Sequence, residues 1–209
     1  QWSSSAASDV YKRQVERFRE RDGAAQHYYP GTPDGTRPGT YYAHLSDMTA
    51  MPKNQLEVIA YHEGLPGHHM QISIAQELKD IPKFRTQAGF TAYSEGWALY
   101  SEALATEIPG TYQDPYNRFG QLTSEIWRAI RLVVDTGLHS KGWTEQEAID
   151  FFMENSPEPL ESVVSEIQRY IVMPGQATSY KIGMLKIQEL RKRAEAVSYT
   201  HLRAHETIA

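Results

Sequence analysis

A Pro66-Gly67 pair interrupts a stretch of helical periodicity that runs from residue 54 to about residue 78. Apolar residues recur at helical spacing on both sides of the pair, beginning with Leu56 before it and continuing with Ile72 after it. Proline has no amide hydrogen to donate to the carbonyl four positions earlier, and glycine gives the backbone freedom to turn. The sequence therefore predicts a helix that bulges or bends at this pair instead of running straight.

The other patterns along the chain are mostly helical. Thr144 and Glu147 match a capping box, in which two side chains satisfy amide groups at the start of a helix. We find no internal repeat and no alternation of strands with helices, so the predicted fold class is mainly α, with several helices. Helices are expected at residues 90–108, at about 116–139, from Thr144, from the SPEPL segment to about residue 172, and from Pro174 onward.

Three segments before the interrupted helix carry different signals. Residues 15–26 are charged and predict the end of a helix. Residues 27–39 are rich in proline and glycine and predict a loop. Residues 40–47 are aromatic and predict at most a short extended segment, which could offer an edge to an extended peptide.

The two ends of the chain do not continue the patterns beside them. Residues 1–14 and 197–209 resemble translated adapter sequence, although ordinary terminal tails are the alternative. We therefore expect the native, truncated helical domain to span residues 15–196. This boundary also argues against His201 and His205 as ligands.

The composition excludes several classes of function. The chain has 209 residues, 40% of them hydrophobic, which is enough for one domain with a core. Its net charge of −5 and the lack of a basic stripe argue against a nucleic-acid partner. No apolar run is long enough to cross a membrane. Cysteine is absent, so any metal must be held by histidine, aspartate or glutamate, and the compartment stays open.

The segment YHEGLPGHHMQ, residues 61–71, combines His62-Glu63 with the pair His68 and His69. In the zinc motif H-E-x-x-H, two histidines lie one helical turn apart and the glutamate is the general base. Here His62 and the next histidine, His68, are six positions apart, so a regular helix would turn them ~240° away from each other. A bend between them could return His68 to the side of His62. His69 would lie too far along the helix axis to share one ion with His62. We therefore predict that it supports a ligand or contacts the substrate.

A catalytic zinc site needs a third protein ligand and one open position. The segment YSEGWALYSE, residues 93–102, offers Glu95, which follows His68 by 27 positions. Gly96 next to it would allow the two helices to approach closely. Glu102 is the competing ligand, about two turns further on. Such residues are usually solvated when they occur singly, but the two segments together favour a Zn²⁺ site.

The segment RLVVDTGLHSKGW, residues 131–143, places Asp135 and His139 on one helix face. His139 could assist a tetrahedral intermediate, and Asp135 could orient a ligand histidine. The alternative is helix termination, in which the histidine favours the C-terminal dipole. Arg128 and Arg131 are expected to be solvated or ion-paired, with a carboxylate clamp for a peptide terminus as the second interpretation.

The segment RYIVMPGQATSYKIG, residues 169–183, contains several polar side chains. Tyr180 is the best candidate for stabilising a developing oxyanion, with Lys181 and Arg169 behind it. The alternative is that this segment only starts a helix at Pro174.

These four segments together resemble the bacterial family known as domain of unknown function 885, over residues 15–196. That family is similar to the gluzincin peptidases, although its H-E motif has two extra residues. The resemblance implies a mainly helical, zinc-peptidase-like catalytic half. It also implies a C-terminal fragment of a longer protein.

By this resemblance, His62, His68 and Glu95 are zinc ligands and Glu63 is the base. We therefore expect a hydrolase that cleaves peptide bonds with a metal-activated water. The alternatives are a metal-dependent amidase or esterase with a non-peptide substrate, a catalytically inactive helical binding module, and a structural metal protein.

Overall fold

The computed structural model describes residues 10–20, 26–45 and 52–206, and most of these residues are helical. The prediction of a mainly α fold is therefore confirmed. Among the described residues, none of the helices combines the length and apolar character needed to cross a membrane. The helices are α1 Leu56–Glu63, α2 His68–Glu77, α3 Lys83–Gln87, α4 Thr91–Leu104, α5 Pro115–Lys141, α6 Glu145–Asn155, α7 Leu160–Val172 and α8 Gln176–Glu206.

A small sheet precedes the helices. Its strands are β1 Tyr11–Gln14, β2 His27–Tyr29 and β3 Thr40–Ala43, in the order β1-β3-β2. β3 lies in the centre, parallel to β1 and antiparallel to β2. The extended segment predicted at 40–47 is thus confirmed for β3, while residues 46–47 lie outside the described part of the chain.

The sheet corrects two predictions made for residues 15–39. The expected helix end at 15–26 is wrong for residues 15–20, and the expected loop at 27–39 contains β2. The amide of Val15 donates to the carbonyl of Ala43 at 2.9 Å, and Val15 is buried. Pairing with β3 therefore determines the conformation here, because it satisfies backbone groups that a local helix would otherwise satisfy.

The predicted domain boundaries at 15 and 196 stay predictions. β1 lies inside the segment 1–14, and α8 continues through residue 197 to Glu206. Residues 1–9 and 207–209, and the side chains of His201 and His205, lie outside what the structure describes.

Local signals account for the ends of the long helices. Asp114 caps α5 by accepting the amide of Tyr116 at 2.9 Å. Gly142 ends α5 with φ of 71°, a left-handed conformation that glycine adopts without a Cβ penalty. The capping box of Thr144 and Glu147 is present at the start of α6, as predicted.

Two apolar clusters hold the helices together. The larger joins α5, α6, α7 and α8 around Phe152, Ile167 and Tyr170. The smaller joins α4 to α8. There Gly96 lies directly against Gly183, where a Cβ on either glycine would overlap backbone atoms of the other helix. The close approach predicted for Gly96 therefore occurs, but its partner is α8 and not the motif helix.

The predicted bend is a complete break at residues 64–67, which separates α1 from α2. A Cβ on Gly67 would overlap the carbonyl oxygens of Tyr61 and His62. Only glycine lets the chain pass this close to the end of α1. The break lets His68, at the start of α2, meet His62 of α1, with ring centroids 4.9 Å apart.

Candidate functional site

The break brings two histidines to one carboxylate. Nε2 of His62 lies 3.5 Å from Oε2 of Glu95, and Nε2 of His68 lies 3.2 Å from the same oxygen. The three candidate ligand atoms all lie within 4.8 Å of one another. The structure therefore brings together the three residues predicted as ligands, in an arrangement that could hold a metal ion.

Helix α4 positions both parts of this cluster. It carries Glu95, and two and six residues later it supplies two side chains to the break. Nε1 of Trp97 donates to the carbonyl of Pro66 at 2.9 Å, and Oγ of Ser101 approaches the same oxygen at 3.3 Å. This carbonyl lies two residues before His68. The helix that bears the carboxylate thus also fixes the backbone that bears the second histidine.

Glu102 lies behind the cluster, not inside it. Its side chain is fully buried, at 0% exposed. Nδ1 of His62 lies 2.6 Å from Oε1 of Glu102, and Oγ of Ser124 donates to Oε2 at 2.6 Å. Because a carboxylate only accepts hydrogen bonds, Nδ1 carries the hydrogen and Nε2 faces Glu95. Glu102, weighed from sequence as a competing ligand, thus orients His62.

The charges in the cluster reinforce one another. Burial disfavours the charged form of His62, but hydrogen bonds to Glu102 and Glu95 outweigh it and raise the pKa of His62 to about 9. Burial likewise opposes ionisation of Glu95, but His62 and His68 lower its pKa well below the usual value. A charged carboxylate therefore faces a protonated His62, and a metal ion bound here would displace the proton on Nε2.

A cavity of about 400 Å³ lies beside the cluster. The three candidate ligands, Glu63 and Tyr180 all line it. The ring of Tyr180 stacks on that of His62, with centroids 6.2 Å apart. Burial and the nearby charge of Glu95 raise the pKa of Tyr180, so its hydroxyl stays protonated at neutral pH. Cavities of this size suit small ligands.

The structure does not bring Asp135 and His139 to the cavity lining. Asp135 accepts the amide of Gly175 at 3.1 Å and that of Thr178 at 3.4 Å, and so caps α8. Nε2 of His139 donates to the carbonyl of Tyr170 at 2.9 Å, near the end of α7. Both side chains therefore join α5 to neighbouring helix ends, and these contacts favour the structural interpretation of the motif.

His69 and Lys181 are also not among the residues that line the cavity. Nδ1 of His69 lies 2.8 Å from the hydroxyl of Tyr28, a contact that joins α2 to β2. Nζ of Lys181 donates to Oε1 of Glu125 at 2.6 Å. Arg169, in contrast, does line the cavity.

Sequence reasoning missed the burial of Arg128 and Arg131, which line the cavity together with Glu166. A signal was present, because Ser124, Arg128, Arg131 and Asp135 recur at helical spacing on one face of α5. All four are buried. A polar stripe of this kind marks either a solvated face or a functional one, and periodicity alone does not distinguish them.

Fold and site together define a class, a mainly helical protein with a His–His–Glu cluster in the wall of a cavity. The chain belongs to the family described as bacterial protein of unknown function (DUF885), which matches residues 5–205. No curated protein is significantly similar to the chain.

Two solved structures share this fold. The crystal structure of a "putative lipoprotein" from Colwellia psychrerythraea is 43% identical, with a TM-score of 0.87 over 90% of this chain. A "putative lipoprotein of unknown function" from Shewanella oneidensis is 22% identical, with a TM-score of 0.71 over 90% of this chain, and shows the fold alone. The chain spans 32% and 35% of these two proteins, respectively.

Proposed function

We propose that this chain carries the metal centre of a zinc-dependent hydrolase that cleaves peptide bonds with an activated water. The observation that supports it is the convergence of His62, His68 and Glu95 in the wall of a cavity that Glu63 also lines. The residue types alone do not indicate a metal site. A metal site requires that the ligand side chains converge, and here they converge from both sides of the helix break and from α4.

The donor set fits zinc. Two imidazoles and one carboxylate are a known combination for catalytic zinc, which keeps a further position open. Glu102 holds Nδ1 of His62, as outer carboxylates do for metal-bound histidines, and leaves Nε2 for the ion. When bound there, zinc would polarise the substrate carbonyl and make water more acidic.

The remaining chemistry belongs to side chains of this protein. Glu63 removes a proton from the attacking water and passes it to the leaving amine. Tyr180 donates a hydrogen bond to the carbonyl oxygen as negative charge develops on it. Between the two candidates for that assistance, the position of Tyr180 in the cavity lining favours it over His139.

Zinc content of the full chain tests this proposal. We expect about one zinc per chain after purification with added zinc, and loss of that zinc when His62 and His68 are both replaced by alanine. Mass spectrometry of the folded proteins measures both. Glu154→Ala, which removes an exposed carboxylate from α6, is the control and should retain zinc.

The outcomes separate the alternatives. Zinc retained in the double variant would rule out this site. Zinc bound without hydrolysis of peptides would favour either an inactive binding module or another substrate, and parallel assays with amide and ester substrates distinguish these.

Glu102→Gln should weaken zinc binding by about 10- to 100-fold, because glutamine keeps the shape but not the charge that orients His62. Competition with a chelator of known affinity measures the change. Glu154→Gln is the matched control. Equal zinc affinities for Glu102→Gln and Glu154→Gln would mean that the charge of Glu102 does not contribute to zinc binding.

A further inference from the structure

We infer that the arginine-lined part of the cavity binds a carboxylate of the substrate, so that the preferred substrates are short peptides with a free C-terminal carboxyl group. This inference rests on the proposed peptidase function and names its substrate class. It comes from the guanidinium groups of Arg128 and Arg131 on α5, which are buried, and from that of Arg169 on α7, which is half-buried. None of these belongs to the three-residue metal cluster.

Two of these guanidinium groups have hydrogen-bonding capacity left over. Arg131 is 4% exposed and Arg128 is 9% exposed, and both line the cavity. Within the described part of the chain, Nη1 of Arg131 and Nε of Arg128 have no hydrogen-bond partner. A buried donor without a partner is costly, and in a cavity wall it indicates a ligand that supplies the missing acceptor.

The charges near these donors are also unbalanced. Among the described residues, ion pairs join Arg128, Arg131 and Arg169 to only two carboxylates, Glu102 and Glu166. Glu102 is shared with the histidine cluster. An anion that enters the arginine-lined part of the cavity would therefore meet three guanidinium groups and two carboxylates, while Glu63 and Glu95 line the cavity at the cluster.

Glu166 and one further carboxyl group, Glu158, respond to these arginines. Although burial disfavours its charge, Arg131 and Arg169 lower the pKa of Glu166 to about 2, so it already serves as their counter-ion. Burial raises the pKa of Glu158 despite the opposing charge of Arg128, and Glu158 accepts a hydrogen bond from Gln55. Neither group supplies an acceptor to the unpartnered nitrogens.

The distances suit a short peptide. The ring of Tyr180 lies 6.2 Å from the ring of His62 and 4.4 Å from Cζ of Arg131. The guanidinium is therefore no farther from His62 than about three residues of extended chain, at ~3.3–3.6 Å per residue. A peptide with its scissile carbonyl at the cluster can thus place a terminal carboxylate at Arg131 within one to three residues. Nε and Nη2 of Arg131 already donate to Tyr170 and Glu166, so its open Nη1 would supply a charge-assisted hydrogen bond to that carboxylate.

Calorimetric titration of the full, metal-free chain tests this, because peptides then bind without being cleaved. The probes are alanyl-phenylalanine, its C-terminal amide, and the α-amide of alanyl-glutamic acid, which carries its carboxylate on the side chain. We expect the first to bind about 10- to 100-fold more tightly than the second, since a charge-assisted hydrogen bond is lost. The third should bind like the second.

Variants of Arg131 test whether this residue causes the preference for the free acid. Arg131→Lys keeps a positive charge beside Glu166 but cannot place a donor at the position of Nη1, and should reduce the preference for the free acid. Arg131→Gln should abolish it. Arg193→Gln, at an exposed position of α8, should leave it unchanged.

The probes alone decide the inference, even if a variant of Arg131 fails to fold. Equal binding of acid and amide, or no detectable binding of the acid, overturns it. Tight binding of the side-chain acid would overturn the C-terminal assignment. Hydrolysis by the zinc-loaded chain is assayed separately. Acid preference without hydrolysis counts against the proposed function alone, whereas hydrolysis with equal binding counts against the carboxylate site alone.

Discussion

Glu63→Gln should lower the rate of peptide hydrolysis by about 10²- to 10⁴-fold while leaving zinc bound. Glutamine has nearly the same shape but cannot take a proton from water. The ligand cluster does not include Glu63, so its geometry should persist. Steady-state kinetics on a cleavable peptide, with zinc content measured on the same sample, checks both parts of this expectation.

The control for Glu63→Gln is Glu77→Gln, which changes an exposed carboxylate on α2. It should leave the rate within error of that of the parent chain. If Glu63→Gln keeps full activity, another group must act as base. If it loses zinc as well as activity, Glu63 supports the metal site and its catalytic role is not established by this variant.

Gly67→Ala should both destabilise the protein and weaken zinc binding. The added Cβ would overlap the carbonyl oxygens of Tyr61 and His62, which belong to backbone and cannot rotate away. Relief requires α2 to move, and α2 carries His68. We expect a loss of about 3 kcal/mol in the free energy of unfolding, at the upper end for an overpacked site.

Urea unfolding monitored by circular dichroism, together with zinc titration, measures both effects of Gly67→Ala. Gly89→Ala is the matched control, because a Cβ there would meet no atom within 4 Å. The free energy of unfolding of Gly89→Ala should be unchanged or raised by about 0.4–1 kcal/mol, because alanine has fewer conformations than glycine in the unfolded chain. Similar stability for the two variants would show that the break tolerates a side chain, and that the close passage beside α1 is not required.

The features predicted correctly are those that neighbouring residues determine. The capping box at Thr144 and the interruption at Pro66-Gly67 each depend on a few consecutive residues and their backbone chemistry. For the same reason, the helical periods predicted the mainly α class. β1 could not be predicted in this way, because its pairing partner Thr40 lies 29 positions away from Tyr11.

The candidate site also combines features that local sequence predicts with features that depend on tertiary packing. The types and spacing of His62, His68 and Glu95 predict a metal cluster, because few side chains can bind zinc and the helix break lets two of them meet. For Asp135 and His139 the sequence left a catalytic and a helix-terminating interpretation open, and residue spacing alone did not decide between them. Their hydrogen bonds go to Tyr170 and Gly175, and those contacts arise only when α7 and α8 pack on α5.

The sequence by itself determined the helices, the break and the identity of the candidate ligands, because local backbone chemistry and side-chain type decide them. Only the tertiary structure decided that Glu102 orients His62 and that Arg128 and Arg131 lie in the cavity wall. Burial is the physical reason. Burial arises when helices that are distant in sequence pack together and exclude water. A polar residue that water would solvate on an isolated helix must then form its hydrogen bonds inside the protein.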